Sequence, residues 1–341
     1  MEPARYHSVP APQLLLNPEA LDLTFQPRVP ASASQPGSLL AQFLDRRGCR
    51  VFEALGAFWA PYHGPFYSSI PNQVTIGREP REIQEMLRQH GVRCVRFPSA
   101  AGHGIPLGLY VCRPREYGLA RLSSGFRRHV IRGLEICKIR RVEPAELLRE
   151  GLPVNLDTMQ RQQRYDPEFG DPARWKRFVQ AVRQSPGIAV TGAYIGGRLS
   201  AYKVTCQEDG WLHMLYKMSR SHDRAWPIGH ALEYAVLSEA ASNPGIELAE
   251  SAFRSPVPST DEGLDSYKRH IGYTVEPRHL AICFHPWIAP LLASPLALAI
   301  AKAASICCAK SSRLEFAVRA LEAARSTLRK DRPGRGPICA R

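Results

Sequence analysis

The chain has no C-x-x-C pair despite its nine cysteines, and no histidine stands near them at zinc-ligand spacing. Zinc ribbons, zinc fingers and dithiol redox centres are therefore excluded, and no metal is expected. Buried thiols in a reducing cytosol account for the cysteines most simply, so the expected location is cytoplasmic. A Walker loop, a dinucleotide-binding glycine fingerprint and a Gly-x-Ser-x-Gly elbow are all missing, which sets aside the function classes that depend on them. The first residues lack a charged start followed by an apolar core, so no secretory signal is expected. Long apolar runs are absent as well. The one membrane candidate, Pro286 to Ala301, is short and is interrupted by Pro290, Ser294 and Pro295 before Lys302. A packed helix or a surface-lying segment is expected there, without a stable membrane span. Acidic residues are also scarce relative to basic ones, 31 against 45, a net charge of +14. Nine basic residues between Lys310 and Arg341 face only Glu315, Glu322 and Asp331. That balance admits a polyanionic partner such as tRNA, although a basic tail is more often simply solvated.

The 341 residues suffice for one large core or two moderate ones, and the 44% apolar and 22% charged fractions are those of a globular protein. Residues 1–36 are rich in Pro, Ala and Ser, show no sustained period, and are expected to be mobile. In residues 37–170 the pattern predicts a strand over Cys49–Phe58 and a packed aromatic loop of Phe58, Trp59, Tyr62, Phe66 and Tyr67. A helix over Glu82–His90 stopped by Gly91 follows, then strands over Val92–Phe97 and Leu107–Cys112. A helix with Leu119, Leu122, Phe126 and Val130 on one face carries Arg121, Arg127, Arg128 and Arg132 on the others. A strand over Leu134–Val142 and a helix over Leu156–Arg164 complete that half. Asp171-Pro172 then opens a helix with an N-cap and a proline in its first turn.

Residues 171–285 hold the stretch around which the rest is arranged. Ile188–Tyr194, Leu199–Val204 and Trp211–Met218 read as strands, separated by Gly196-Gly197 and Asp209-Gly210, which are tight-turn signals. A basic loop, Ser219–Arg224, leads to a helix announced by Pro227, with Ile228, Leu232, Ala235 and Val236 on one face. Next come a strand over Ile246–Ser251, a short helix from Asp261 to Ile271 stopped by Gly272, and a last strand over Tyr273–Phe284. Residues 286–341 contain the apolar segment and a basic amphipathic helix with Leu314, Val318, Leu321 and Leu328 on its apolar side.

Three antiparallel strands, helix, strand, helix, strand resembles the core of the GNAT acyltransferase superfamily. Three local stretches resemble its Fem-type branch, whose members have two GNAT-like halves. Ser123-Ser124-Gly125-Phe126-Arg127-Arg128-His129-Val130 is similar to the Arg-rich helix that joins the halves. Asp157-Thr158-Met159-Gln160-Arg161 is similar to the Thr-x-x-Arg helix after it. Ser266-Tyr267-Lys268-Arg269-His270-Ile271-Gly272-Tyr273 is similar to the Phe-Lys-x-x-Phe-Gly signature, with Tyr and Ile in place of both Phe. The resemblance implies an α/β (α+β) fold with a strongly twisted mixed sheet flanked by helices. It also implies acyl transfer, most simply of acetyl from acetyl-coenzyme A, to an amine on a small molecule or peptide. The alternatives are aminoacyl transfer from charged tRNA to a peptide or cell-wall precursor, and a GNAT fold that binds an anionic partner without catalysis.

Transfer from a thioester to an amine requires that donor phosphates be held, the amine lose a proton, and carbonyl charge be stabilised. The family holds the pyrophosphate on backbone N–H groups at the helix after the fourth strand. Here that place is Arg224 to Ala231, with Ile228, Gly229, His230 and Ala231 at the helix start and Gly229 giving close approach. Arg224 stands five residues before Gly229 where the family pattern has three. Lys268 borders the packed face of its helix, so it either snorkels to water or points at something anionic. In the resembling family the matching lysine stabilises phosphate or oxyanion charge. For the general base, alternation puts Glu247 and Glu250 on opposite faces of one strand, and His213 and Tyr216 on opposite faces of another. Glu250 ranks first and His213 second. Arg127, Arg128 and Arg132 are either a solvated helix face or contacts to phosphates.

Overall fold

The computed structural model describes residues 21–22, 35–63, 66–100, 104–254, 262–292, 294–307, 318 and 321–322. Most of the expected mobile segment 1–36 and of the expected basic helix beyond Lys310 lie outside these. The elements in the first half are β1 (Leu21–Asp22), α1 (Ser38–Arg46), β2 (Phe52–Ala54), β3 (Ala57–His63), β4 (Phe66–Ile70), α2 (Pro80–His90), β5 (Cys94–Ser99), β6 (Ile105–Cys112), α3 (Ser124–Ile136), β7 (Lys138–Arg141), α4 (Pro144–Arg161) and α5 (Pro167–Gly170). Then follow α6 (Pro172–Gln184), β8 (Ile188–Ile195), β9 (Arg198–Glu208), β10 (Trp211–Ser219), α7 (Ile228–Ser242), β11 (Leu248–Phe253), α8 (Glu262–His270), β12 (Thr274–Phe284), α9 (Ala289–Leu292) and α10 (Pro295–Cys307).

All strands join one twelve-stranded sheet in the order β1-β7-β8-β9-β10-β11-β6-β12-β5-β4-β3-β2. The sheet is mixed: β1–β7, β10–β11 and β4–β5 are parallel pairs, and the other neighbours are antiparallel. The α/β, GNAT-like architecture expected from the order of elements is thus the one present. Strand β6 of the first half sits between β11 and β12 of the second, paired to both.

Helices cover both faces. On one face α3 and α7 pack Val130, Leu134, Ile228, Leu232 and Ala235 against Ala193 and Ala201. On the other, α1, α4 and α6 pack Phe43, Leu147, Trp175 and Phe178 against Tyr202, Val204 and Cys206. Alternation along β9 makes this division, because a strand buried on both faces sends successive side chains to different helical layers. The capping signals read from sequence act as expected. The Asp171 side chain accepts a hydrogen bond from the Arg174 N–H, and Gly91 closes α2 in the left-handed region.

Several boundaries differ from the periodicity reading: the helix expected to include Leu119 and Leu122 starts only at Ser124, after a 3₁₀ turn over Leu119–Arg121, and the expected aromatic loop lies on β3 and β4. The strand expected over Cys49–Phe58 is a hairpin, β2–β3, turned by Leu55 and Gly56 at φ 56° and 76°. The strand expected from Leu134 begins only at Lys138, since α3 runs on to Ile136. The helix expected from Leu156 starts at Pro144, and Pro153 within it masks the continuity in sequence. The apolar segment near the C-terminus forms two short helices, and no helix among the described residues is long and apolar enough to cross a membrane.

Candidate functional site

Strands β10 and β11 pair only over Trp211–Leu248, Leu212–Ala249 and His213–Glu250, and then part. His213 and Glu250 therefore stand at the vertex of a gap in the sheet. Their side chains meet: His213 Nδ1 lies 3.1 Å from Glu250 Oε1. The second Glu250 oxygen accepts from the Ala252 N–H at 3.0 Å, and Asn72 Nδ2 approaches the first at 3.4 Å. His213 is fully buried, with its Nε2 3.7 Å from Glu208 Oε1. The other Glu208 oxygen accepts from the N–H groups of Leu39 and Leu40 at the start of α1. Carboxylate, imidazole and carboxylate thus form one buried line ending at the gap. Burial raises the Glu208 carboxyl, which His213 and those N–H groups oppose.

Tyr216 departs from the alternation argument. A β-bulge between Met214 and Tyr216 inserts Leu215, so Tyr216 returns to the face of His213 instead of the opposite one. Its hydroxyl accepts from Arg47 Nη1 at 2.5 Å. Arg47 is itself paired with Glu168 and lies against the rings of Phe43, Phe178 and Tyr216. Tyr216, Glu250 and Asn72 line a cavity of about 1080 Å³ on this face. Glu247 stands just outside β11, where its N–H donates to the Gly210 carbonyl at 2.7 Å.

On the opposite face Glu233 of α7 is completely buried and collects three lysines. Lys203 of β9 pairs with one of its oxygens, Lys217 of β10 stands 3.5 Å from the same atom, and Lys268 of α8 stands 3.4 Å from the other. Tyr273 donates to Glu233 Oε1 at 2.9 Å, and Lys268 also reaches Ser251 Oγ at 2.5 Å. Lys268 therefore does not snorkel; it is buried and points at an anion. Burial alone would raise the Glu233 carboxyl, but Lys203, Lys268 and Lys217 outweigh it and hold it well below the carboxylate range. Lys203 and Lys268 are both pushed down, by burial first and by neighbouring lysines, with Glu233 opposing. One carboxylate for three ammonium groups leaves positive charge in excess. Sequence reading missed Glu233, Lys203 and Lys217. Their signal was a charge at a core register of an apolar helix, and lysines within strands otherwise apolar.

Lys217 links this cluster to a second cavity of about 630 Å³, lined by Arg128, Arg132, Gly229, His230 and Tyr267 among others. Its Nζ donates to the Gly229 carbonyl at 3.0 Å, as does the Tyr267 hydroxyl at 3.2 Å. Pro227 is the N-cap, so α7 starts at Ile228. The N–H groups of Ile228 and Gly229 have no partner among the described residues, which leaves two donors at the positive end of the helix. The side chains of Ile228 and Ala231 are core, so only their backbone is available to a ligand. The Arg224 side chain lies outside the described residues; its backbone belongs to a single 3₁₀ turn, His222–Ala225. His230 packs against Phe126 and Tyr267, and burial, then Lys217 and His129, push it down to about 4.

Helix α3 closes the cavity wall. Gly133 lets it approach, since a Cβ there would stand 2.7 Å from the Pro227 carbonyl oxygen. Arg128 and Arg132 face the cavity, whereas Arg127 turns away to the carbonyls of Leu119, Ala120 and Leu122. The Thr158–Arg161 turn anchors the end of β10: Thr158 Oγ1 accepts from the Ser219 N–H at 2.9 Å and Arg161 donates to the Ser219 carbonyl at 2.8 Å. In the aromatic cluster, Trp59 is a core residue against Phe97, while Tyr62 is 42% exposed. Among the described residues no group of three His, Cys, Asp or Glu side chains is placed to hold a metal ion.

No family model matches the chain, and no curated protein matches it. Solved structures do. One is the C-terminal domain of a protein described as a lysylphosphatidylglycerol synthetase from Agrobacterium fabrum, at 14% identity and TM-score 0.50, covering 72% of this chain and 87% of that one. Another is L-PGS from Bacillus licheniformis, at 13% identity and TM-score 0.50, covering 72% and 90%. FemX aligns at 9% identity and TM-score 0.48 over 71% and 90%. The likeness is one of fold.

Proposed function

We propose that this chain is an N-acyltransferase of GNAT-like fold that moves an acyl group, acetyl in the simplest case, from acyl-coenzyme A to an amine. One observation carries the reading. At the gap between β10 and β11, consecutive residues Tyr216 and Lys217 face two different cavities on opposite sides of the sheet. The cavity beside Lys217 offers the free N–H groups of Ile228 and Gly229 with Arg128 and Arg132, which suits a donor pyrophosphate. The cavity beside Tyr216 presents Glu250 to an acceptor.

In this reading Glu250 takes the proton of the acceptor ammonium, an ordinary alkylamine near pKa ~10.4. His213 holds the Glu250 carboxylate from behind. The amine nitrogen then bonds to the thioester carbon, the C–S bond breaks, and the second proton lost by that nitrogen passes through solvent to the departing thiolate, which leaves as the thiol. The surplus positive charge around Glu233, chiefly on Lys268 and Lys217, offsets negative charge on donor phosphate or carbonyl oxygen.

The arginines of α3 favour a second reading, aminoacyl transfer from charged tRNA, because a wall of guanidinium groups suits a polynucleotide backbone as well as a single nucleotide. The fold likeness to lysylphosphatidylglycerol synthetase domains agrees with it. Binding of radiolabelled acetyl-coenzyme A and of charged tRNA separates the two. Saturable coenzyme binding supports the first. Tight tRNA binding that weakens steeply with salt supports the second, and the absence of both leaves a non-catalytic binding protein.

A further inference from the structure

The larger cavity has a floor made by one face of the sheet. Register places Ala60, Ser68, Arg96 and Ile282 in a row across β3, β4, β5 and β12, and all four line the cavity. Ile105, Leu107 and Leu280 extend the same floor. Arg96 is thus a guanidinium set among small and apolar side chains. The neighbouring β5 residues Val95 and Phe97 point the other way, into the core under α2.

The surroundings of Arg96 do not neutralise it. Its Nε donates to Ser68 Oγ at 3.3 Å, and its guanidinium lies 3.1 Å from the centre of the Tyr62 ring, with the Tyr62 hydroxyl as a further partner. No carboxylate lies within ion-pair distance of it among the described residues. Of the other arginines lining the cavity, Arg47 is paired with Glu168 and Arg254 with Asp265, while Arg164 and Arg174 are exposed side chains at the rim. Burial pushes the Arg96 guanidinium down, and only Tyr62 opposes this. A half-buried cation given a hydroxyl and a ring, but no counter-ion, favours an anionic ligand that supplies one.

We infer that Arg96 is the anion-recognition point of the acceptor cavity, so that the acceptor is an amine that also carries a phosphate or a carboxylate. The inference rests on the acyl-transfer reading for the word acceptor, though not for anion binding itself. The anion seats on the guanidinium fork over Tyr62, and the amine of the same molecule reaches Glu250, which lines the same cavity. A cavity of about 1080 Å³ accommodates a molecule with both groups well separated.

The test uses the full chain and three probes: O-phosphoethanolamine, β-alanine and ethanolamine, each titrated by calorimetry without donor. Phosphoethanolamine or β-alanine should bind at least tenfold more tightly than ethanolamine, and whichever binds better names phosphate or carboxylate as the source. Arg96→Met should erase that preference, and Arg96→Lys should restore only part of it, because an ammonium lacks the planar fork. Should Arg96→Met fail to fold, Ser68→Ala with Tyr62→Leu must still weaken anion binding at least threefold. Equal affinity for all three probes in the wild-type chain overturns the inference, as does an unchanged preference in folded Arg96→Met. Thioester consumption with acetyl-coenzyme A is then measured with the same amines. Anion binding without consumption removes acyl transfer and keeps the Arg96 site. Consumption at equal KM for charged and uncharged amines keeps acyl transfer and removes the site.

Discussion

Glu233→Gln perturbs the most heavily charged point in the core while hardly changing its shape. In the native chain the Glu233 carboxylate is completely buried against Lys203 and Lys268, themselves 3% and 8% exposed, with Lys217 beside them. The amide can still accept a hydrogen bond but brings no charge. Removing one partner of a buried ion pair costs about 3–5 kcal/mol, because the remaining charge is left uncompensated. For a fold of this size such a loss lowers the melting temperature by roughly 4–7 °C. The pH dependence gives the claim a sharper edge. In the variant the Lys203 and Lys268 pKa values fall further below the unfolded value of ~10.4, so the unfolded chain binds more protons than the folded one at neutral pH. Stability of Glu233→Gln must therefore rise with pH, and its deficit against wild type must shrink between pH 7 and pH 10. Thermal melts at several pH values measure both. A deficit below about 0.5 kcal/mol at pH 7, or one that grows with pH, refutes the account of Glu233 as the counter-ion of three lysines.

Gly229→Leu should fold, because a Cβ there meets only the end of the Lys217 side chain, no nearer than 3.4 Å, and should lose acyl-coenzyme A affinity at least tenfold by calorimetry. Glu250→Gln should lower kcat by about 10²–10⁴ with little change in KM; turnover within about threefold of wild type would assign the base elsewhere. Lys268→Met should cost on the order of 10²–10³ in rate, and turnover within about threefold of wild type would leave Lys268 a purely structural partner of Glu233. His230 is held at about 4 against 6.5 unfolded, so between those values only the unfolded chain takes up the proton and acid weakens the fold. His230→Phe should accordingly lose less melting temperature than wild type between pH 6.5 and pH 4.

The sequence determined by itself whatever depends on neighbours along the chain. Turn glycines and the alternating apolar runs set β8, β9 and β10; Asp171-Pro172 set α6; Gly91 set the end of α2. These signals act through backbone conformation and local hydrogen bonds, so the order of elements from Asp171 to Phe284 was legible, and with it the GNAT-like fold. The tertiary structure decided what depends on partners distant in sequence. The insertion of β6 between β11 and β12 follows from pairing across about 140 residues to β11 and more than about 160 to β12, which no period records. A single bulge at Leu215 reversed the face of Tyr216, because alternation counts residues and a bulge adds one without pairing it. Glu250 and His213 were each legible as polar residues on strands, yet their hydrogen bond required the register of β10 on β11. Lys268 was legible as a lysine at the edge of a packed face. Its direction was settled by Glu233, 35 residues earlier, whose charge is tolerated in the core only because strands β9 and β10 and helix α8 each deliver an ammonium group to it.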